Sequence, residues 1–307
     1  MGTKGGKLSM KTKTLLELAN QIENKETFNK IINCDLLMNK SDEEKEKIFQ
    51  ALKTCKYNEK AIGLAINSNV LKLRTTDEHV KLIETLKSCK YNEKAFALAV
   101  DRDVLRIRTL DEQIKLINVI KSYKYDRAAF VIAISYNVLE SRTLDEQIKL
   151  IKTVKTREYD GIAVYVATNC NVLVLRTTDE QIKLIEAIKS CEYLEQASLI
   201  AINRDVLENR TADEQIKLIE VVKTCEYDDS VFKLAINCDV LETKTIDEQI
   251  KLMQKKNTQT IYNTLLNIKS LEELREYLKE LSKNKVDVEL GSKPKCKDKT
   301  IFRNKNQ

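Results

Sequence analysis

The chain of 307 residues contains no tryptophan, one proline and only six glycines. Folds made of many tight turns draw on Gly and Pro, so an all-β architecture or an α/β fold with many short loops is not expected. Long apolar runs are missing as well. None approaches the roughly 18 residues that a membrane-spanning helix requires. The opening Met1-Gly-Thr-Lys-Gly-Gly-Lys7 is basic but leads into no apolar h-region, so no secretory signal is expected and the chain reads as cytoplasmic. It has one histidine, His79, and no G-x-G-x-x-G, G-x-x-x-x-G-K-[ST], H-E-x-x-H or G-x-S-x-G motif. A Cys/His nucleophile pair would have to use His79 with Cys89, which lies beyond the last turn of the same helix. Neither catalysis nor a metal or cofactor is expected.

Eight cysteines are present, and their spacing argues against bridges or zinc. Cys55, Cys89, Cys191 and Cys225 share one slot of a repeat, Cys34, Cys170 and Cys238 share another, and Cys296 stands outside. No C-x-x-C pair exists. Equivalent residues of stacked units should lie roughly 10 Å apart, beyond the ~7 Å between Cα atoms that a disulfide spans. Free thiols in a reducing compartment fit this pattern.

Net charge is +6, but it sits at the ends. Residues 1–13 carry +4 and residues 282–307 carry +5, which leaves −3 for the body between them. A nucleic-acid footprint would have to occupy one face of that body, or the tails alone.

What the chain has is repetition. Thr143-Leu-Asp-Glu-Gln-Ile-Lys-Leu-Ile151 recurs at Thr75, Thr109, Thr177, Thr211 and Thr245, always 34 residues apart, with a worn form at Ser41. A period of that length over most of a chain is the signature of stacked supersecondary units. The expected organisation is a flexible start (1–6), a degenerate terminal copy (7–40), six full copies (41–74, 75–108, 109–142, 143–176, 177–210 and 211–244), a C-terminal partial copy with capping helices (245–284) and a basic, disordered tail (285–307).

Two helices are legible in each copy. The first opens on a capping box, Thr143 with Glu146, and the pattern stands at all seven starts: Ser41/Glu44, Thr75/Glu78, Thr109/Glu112, Thr143/Glu146, Thr177/Glu180, Thr211/Glu214 and Thr245/Glu248. A connector with a fixed tyrosine (Tyr57, Tyr91, Tyr125, Tyr159, Tyr193, Tyr227) leads to Asn or Asp, which should N-cap the second helix; Leu194 is the exception. That helix carries alanines four apart, such as Ala129/Ala133, which allow close helix approach. Each copy closes on a turn such as Asn203-Arg-Asp-Val-Leu207, in which Asp205 could cap a short extra turn and Val and Leu should plug the groove under the next unit.

Three ladders follow from the period. Lys81, Lys115, Lys149, Lys183, Lys217 and Lys251 run beside Asp77 to Asp247 on the exposed strip; they either stabilise their own helices as i,i+4 pairs or form a charged track for a repetitive partner. Gln113, Gln147, Gln181, Gln215 and Gln249, with His79 in the same slot, fall inside the apolar arc, so they should be half-buried and bonded to the neighbouring Asn-x-Asp turn. Arg74, Arg108, Arg142, Arg176 and Arg210, then Lys244, precede each cap and either pair with an acid of the same turn or line a binding edge. Variation between copies gathers elsewhere, notably at the middle of the closing turn: Ser68, Arg102, Tyr136, Cys170, Arg204 and Cys238.

The 34-residue two-helix unit, over roughly residues 7–280, resembles the tetratricopeptide and pentatricopeptide class of α-solenoids in length and layout. It lacks the Trp, the Leu-Gly pair and the closing Pro of tetratricopeptide units. The resemblance therefore implies an architecture, an all-α solenoid of about seven to eight two-helix repeats with degenerate caps, and carries over no binding residues. By analogy with solenoids, a curved face for a partner is implied.

The expected function is a non-enzymatic, monomeric scaffold for a protein or peptide partner. Candidate contacts are Lys115, Lys149, Lys183 and Lys217 on the lysine ladder, Arg102, Tyr136 and Arg204 in the variable turns, and Arg108, Arg142, Arg176 and Arg210. Two alternatives stand beside it: binding of single-stranded RNA, one unit per nucleotide, and a secreted effector acting in a host cytosol.

Overall fold

A computed structural model describes residue 22 and residues 25–122, 127–154, 160–190, 194–225, 229–268 and 270–283. Among these the regular structure is all α-helix, without strands. The flexible start, the basic tail and half of the degenerate terminal copy lie outside the described residues.

Each copy holds three helices rather than two. The first helices span Asp42–Thr54, Thr76–Ser88, Leu110–Lys121, Leu144–Val154, Thr178–Lys189 and Ala212–Thr224. The second span Glu59–Ala65, Glu93–Val100, Arg127–Ile134, Asp160–Thr168, Leu194–Ile202 and Asp229–Ala235. The third occupy the closing turn: Ser68–Leu73, Arg102–Ile107, Tyr136–Ser141, Cys170–Leu175, Arg204–Asn209 and Cys238–Thr243. Lys25–Ile32 and Asp35–Met38 precede the array, and Ile246–Asn267 and Leu271–Lys283 follow it.

Local chemistry accounts for the boundaries. At all seven starts the Ser or Thr hydroxyl accepts from the Glu amide three residues on, while that Glu carboxylate accepts from the cap amide; for Thr143 and Glu146 the two bonds are 3.4 and 2.9 Å. Bonds to the Thr143 backbone and hydroxyl hold the Glu146 carboxyl below its ordinary pKa. Thr143→Ala should cost about 1 kcal/mol of stability by chemical denaturation, whereas Thr143→Ser should cost little. Asn58 and Asn92 cap the second helices as expected. Asp126 and Asp228 lie outside the described residues, and Asp160 stands as the first helical residue.

In five of the six copies the third helix is capped by a side chain one position before the variable residue; Ser135 holds that position in the third copy without making the bond. Asn67, Asp101, Asn169, Asn203 and Asn237 each accept from amides two or three residues on. The cap in the fifth copy is thus Asn203, accepting from the Val206 amide at 2.9 Å, and not Asp205. With the Asx side chain holding the first amides, the residues after it continue as helix instead of an open turn.

In the first two connectors Lys56, Tyr57, Lys90 and Tyr91 have φ between 50° and 56°. Two successive left-handed residues without glycine cost about 1–2 kcal/mol each. The Tyr91 hydroxyl offsets part of this by donating to the Cys55 carbonyl of the preceding connector at 3.1 Å.

Among the described residues, the principal helix contacts join a copy to itself and to its neighbours. First helices pack on first helices, second on second and third on third, and each first helix also rests on the second helix of the copy before it. One continuous cluster of buried apolar residues runs from Ile22 to Met253. The small residues expected at the second-helix contacts are buried throughout: Ala61/Ala65, Ala95/Ala99, Ala129/Ala133, Ala163/Ala167, Ala197/Ala201 and Val231/Ala235. The Leu of every closing segment is buried too, from Leu71 to Leu241.

Candidate interaction surface

The loudest motif turns inward. Gln113, Gln147, Gln181, Gln215 and Gln249 are fully buried, not half-buried, and so is His79. Each Gln Nε2 donates to two carbonyls at the end of the preceding second helix; for Gln147 these are Ile132 and Ala133, both at 3.1 Å. The partners are those helix-terminal carbonyls and not the Asn-x-Asp turn. A helix of eight residues leaves its last four carbonyls without intrahelical donors, so a buried amide is what that end requires.

The arginines complete this arrangement from the other side. Arg108, Arg142, Arg176 and Arg210 are buried, and their hydrogen-bond partners are backbone and glutamine oxygens, not an acid of the same turn. Arg142 donates to the Leu173 carbonyl at 3.0 Å, to the Arg176 carbonyl at 2.7 Å and to Gln181 Oε1 at 3.4 Å. The same link from arginine to the next arginine's carbonyl runs from Arg74 through Arg108, Arg142 and Arg176 to Arg210 and ends on Lys244. Burial pushes the Arg142 guanidinium below its ordinary pKa, and no carboxylate is needed because several oxygens share one planar fork. Lysine, with a single ammonium, could not reach three acceptors set in a plane. Most of their donors are thus spent on the frame, although Arg108 and Arg142 still line an open groove.

The lysine ladder stays outside, but its pairing differs from expectation. Lys47, Lys149 and Lys183 bond to Asp77, Asp179 and Asp213 of the next copy at 2.9, 3.5 and 3.0 Å, across the interface and not along their own helix. Thirty residues separate the partners because the aspartate in slot three of one first helix lies beside the lysine in slot seven of the previous one. All are well exposed, so each pair should contribute ~0.5 kcal/mol or less, and Lys183→Ala should leave the thermal midpoint almost unmoved. Lys115 and Lys217 are also exposed on this strip. A row of lysines facing aspartates offers little uncompensated charge to a phosphate backbone.

The third helices form the surface on which the copies differ. Val and Leu of each point inward, leaving the first and fifth helical residues outside: Arg102 and Arg106, Tyr136 and Glu140, Cys170 and Val174, Arg204 and Glu208, Cys238 and Glu242. Val174 is 78% exposed and Tyr136 47%. The Tyr136 hydroxyl donates to the Glu140 carboxylate, Arg204 pairs with Glu208 at 2.7 Å, and the Cys238 thiol donates to Glu242 at 3.4 Å. That last bond holds the Cys238 thiol above its ordinary pKa, which disfavours the thiolate a nucleophile needs. The sequence candidates Arg102, Tyr136 and Arg204 are thus brought into one row, with Cys170 and Cys238 beside them. The second helices add exposed Tyr165 and Leu199, one period apart.

An open groove of about 740 Å³ crosses the edge where the third copy meets its neighbours. Its walls include Ile107, Leu139 and Ser141 with the carboxylates of Glu112, Glu140 and Glu146. Glu112 and Glu146 are already engaged in helix caps and Glu140 with Tyr136. Among the described residues no three His, Cys, Asp or Glu side chains gather in a way that could hold a metal ion, and no helix is long and apolar enough to cross a membrane.

No protein-family model matches this chain, and comparison with curated proteins and with solved structures finds no match for it.

Proposed function

We propose that the copies stack into a single α-solenoid and that the chain is a non-enzymatic scaffold, binding a protein partner on the row of third helices. One observation carries the reading: the constant residues of the motif are consumed by caps, core and inter-copy hydrogen bonds, while the residues that vary between copies stand exposed together on that row. A solenoid whose frame is built from constant positions can change its partner through the variable ones without loss of fold. The stacking itself is supported by the principal helix contacts of the described residues, which join adjacent copies, and by the 34-residue link from each arginine to the next.

Capture from lysate with the full chain, with and without nuclease, tests it. Tyr136→Ala with Val174→Ser should lose the captured proteins, while Lys183→Ala should keep them. Loss of all binding after nuclease treatment would favour the RNA reading instead, and that binding should weaken steeply as salt rises.

A further inference from the structure

The row of third helices has a polarity that repeats on a larger scale. Its fifth helical position reads Lys72, Arg106, Glu140, Val174, Glu208 and Glu242 from the first full copy to the sixth. Counting the exposed and part-exposed charges of the third helices, the first two copies hold Lys72, Arg102 and Arg106 against Asp103, a net +2, and the last two hold Arg204 against Asp205, Glu208, Asp239 and Glu242, a net −3. Whole copies follow the same trend: residues 41–176 carry +5 and residues 177–244 carry −7. Between the two ends lies the least charged part of the row, with Tyr136, Cys170 and Val174 all exposed.

Such a row is complementary to its own reverse. If a second chain is laid antiparallel on it, about a two-fold axis between the third and fourth copies, Lys72 faces Glu242 and Arg106 faces Glu208, while Arg102 comes opposite Arg204, whose charge its own Glu208 already balances at 2.7 Å. Both pairs then occur twice. Tyr136 of each chain meets Cys170 and Val174 of the other at the axis. Glu140, whose carboxylate already accepts from the Tyr136 hydroxyl, comes opposite Val174 in this arrangement. Both rows repeat with one 34-residue period, so the copies of one chain can be set one by one against those of the other. This is the requirement for an isologous interface, in which one patch must be its own partner.

From this we infer that the chain forms an antiparallel homodimer through its third helices, in place of the monomer expected from sequence. Any other protein partner would have to supply this reversed pattern of charge at this spacing, and a second copy already has both. Six helices at roughly 10 Å spacing, each roughly 10 Å long, form a strip that would bury about 1,000 Å² in total. That is the lower end for specific association, so a micromolar, salt-sensitive dimer is expected. The inference rests on the stacked order proposed above and makes a second copy, in place of an outside protein, the occupant of the third-helix row. A monomeric chain would sink it and leave the scaffold reading standing.

Sedimentation velocity on the full chain supplies the test, over about 1 to 100 μM protein at low salt and at about 0.5 M salt. The expected result is a mass that doubles across the concentration series at low salt and returns to the monomer at high salt. Lys72→Glu with Arg106→Glu should be monomeric, as should Glu208→Lys with Glu242→Lys, and an equimolar mixture of the two variants should restore a dimer containing one of each. Val174→Glu should raise the dissociation constant at least tenfold. All five positions are exposed, and helicity by circular dichroism checks that each variant is folded. A wild-type monomer at every concentration overturns the inference, and so does a dimer that survives both charge reversals or variants that fail to pair when mixed.

Discussion

Arg142→Met should lower the stability of the array by about 3 kcal/mol, a large effect for a residue that sequence alone places at a helix boundary. The substitution keeps most of the apolar stem but removes the donors for the Leu173 and Arg176 carbonyls and for Gln181 Oε1. Buried acceptors left without partners cost about 1–3 kcal/mol each, and part of that is recovered by local relaxation and by no longer burying a guanidinium. In a thermal melt the midpoint should fall by roughly 5–10 °C. Gln181→Leu should be similarly harmful, since it strands the Val166 and Ala167 carbonyls. Because the two residues share a bond, the double variant should cost less than the sum of the singles. A midpoint that shifts no more than it does for Lys183→Ala would show that the arginine row is not a joint between copies.

Acid should loosen the array at one place first. His79 occupies the glutamine slot of the second copy, fully buried, with Nε2 against the Leu64 carbonyl at 3.0 Å and Nδ1 without a partner. Elsewhere an arginine 39 residues earlier serves this slot; here that residue is Lys40, whose ammonium bonds Glu44 and Thr76 instead. Burial pulls the His79 pKa from 6.5 to about 4. A folded-state value below the unfolded one means that the unfolded chain binds the extra proton between these limits. Stability is then complete above pH 6.5 and falls as pH drops toward 4, by up to about 3 kcal/mol. His79→Gln should remove this slope and melt at a higher temperature than wild type at pH 5, with the two alike at pH 8. The capping carboxyl of Glu44, held at about 2 by bonds from Thr76 and the Ser41 backbone, acts in the same direction at more acid pH. Equal pH profiles for His79→Gln and wild type would contradict the assignment.

The lysine at 40 and the histidine at 79 show how legible the array is in its sequence and where it stops being so. The period, the seven caps and the alanine contacts could all be read directly, because capping boxes and small-residue faces are local patterns. The glutamine slot was visible as a polar residue in an apolar arc, yet its partners could not be named. They lie at offsets of 14, 15 and 39 residues, on elements whose relative placement only packing decides. The arginines looked like surface residues for the same reason: next to a helix cap, a side chain can go outward to water or across to the following copy. The offset of 39 residues is nevertheless a signal within the sequence. Arg/Gln stands at all five positions from 74/113 to 210/249, and where the glutamine becomes His79 the arginine becomes Lys40. A third helix was missed because six residues carry too little periodicity, although the Asn, Asp or Ser before each one was there to be read as its cap.

The body's small net charge conceals a sign change between residues 176 and 177. The motif is constant on both sides of that point. The difference is carried by variable residues such as Arg106 and Glu208, one at each end of the exposed row. Function, on this account, depends on which residues the frame leaves free.

Removing one whole period tests the frame most directly. Deletion of residues 143–176 joins Arg142 to Thr177, so that Arg142 meets the Arg210 carbonyl and Gln215 in place of Arg176 and Gln181. Stacked copies predict a chain that is soluble, has the same helicity per residue by circular dichroism, and unfolds cooperatively at a somewhat lower temperature. Deletion of half a period, residues 143–159, should abolish that transition. A whole-period deletion that leaves the chain unfolded or aggregated, no better than the half-period control, would contradict the account.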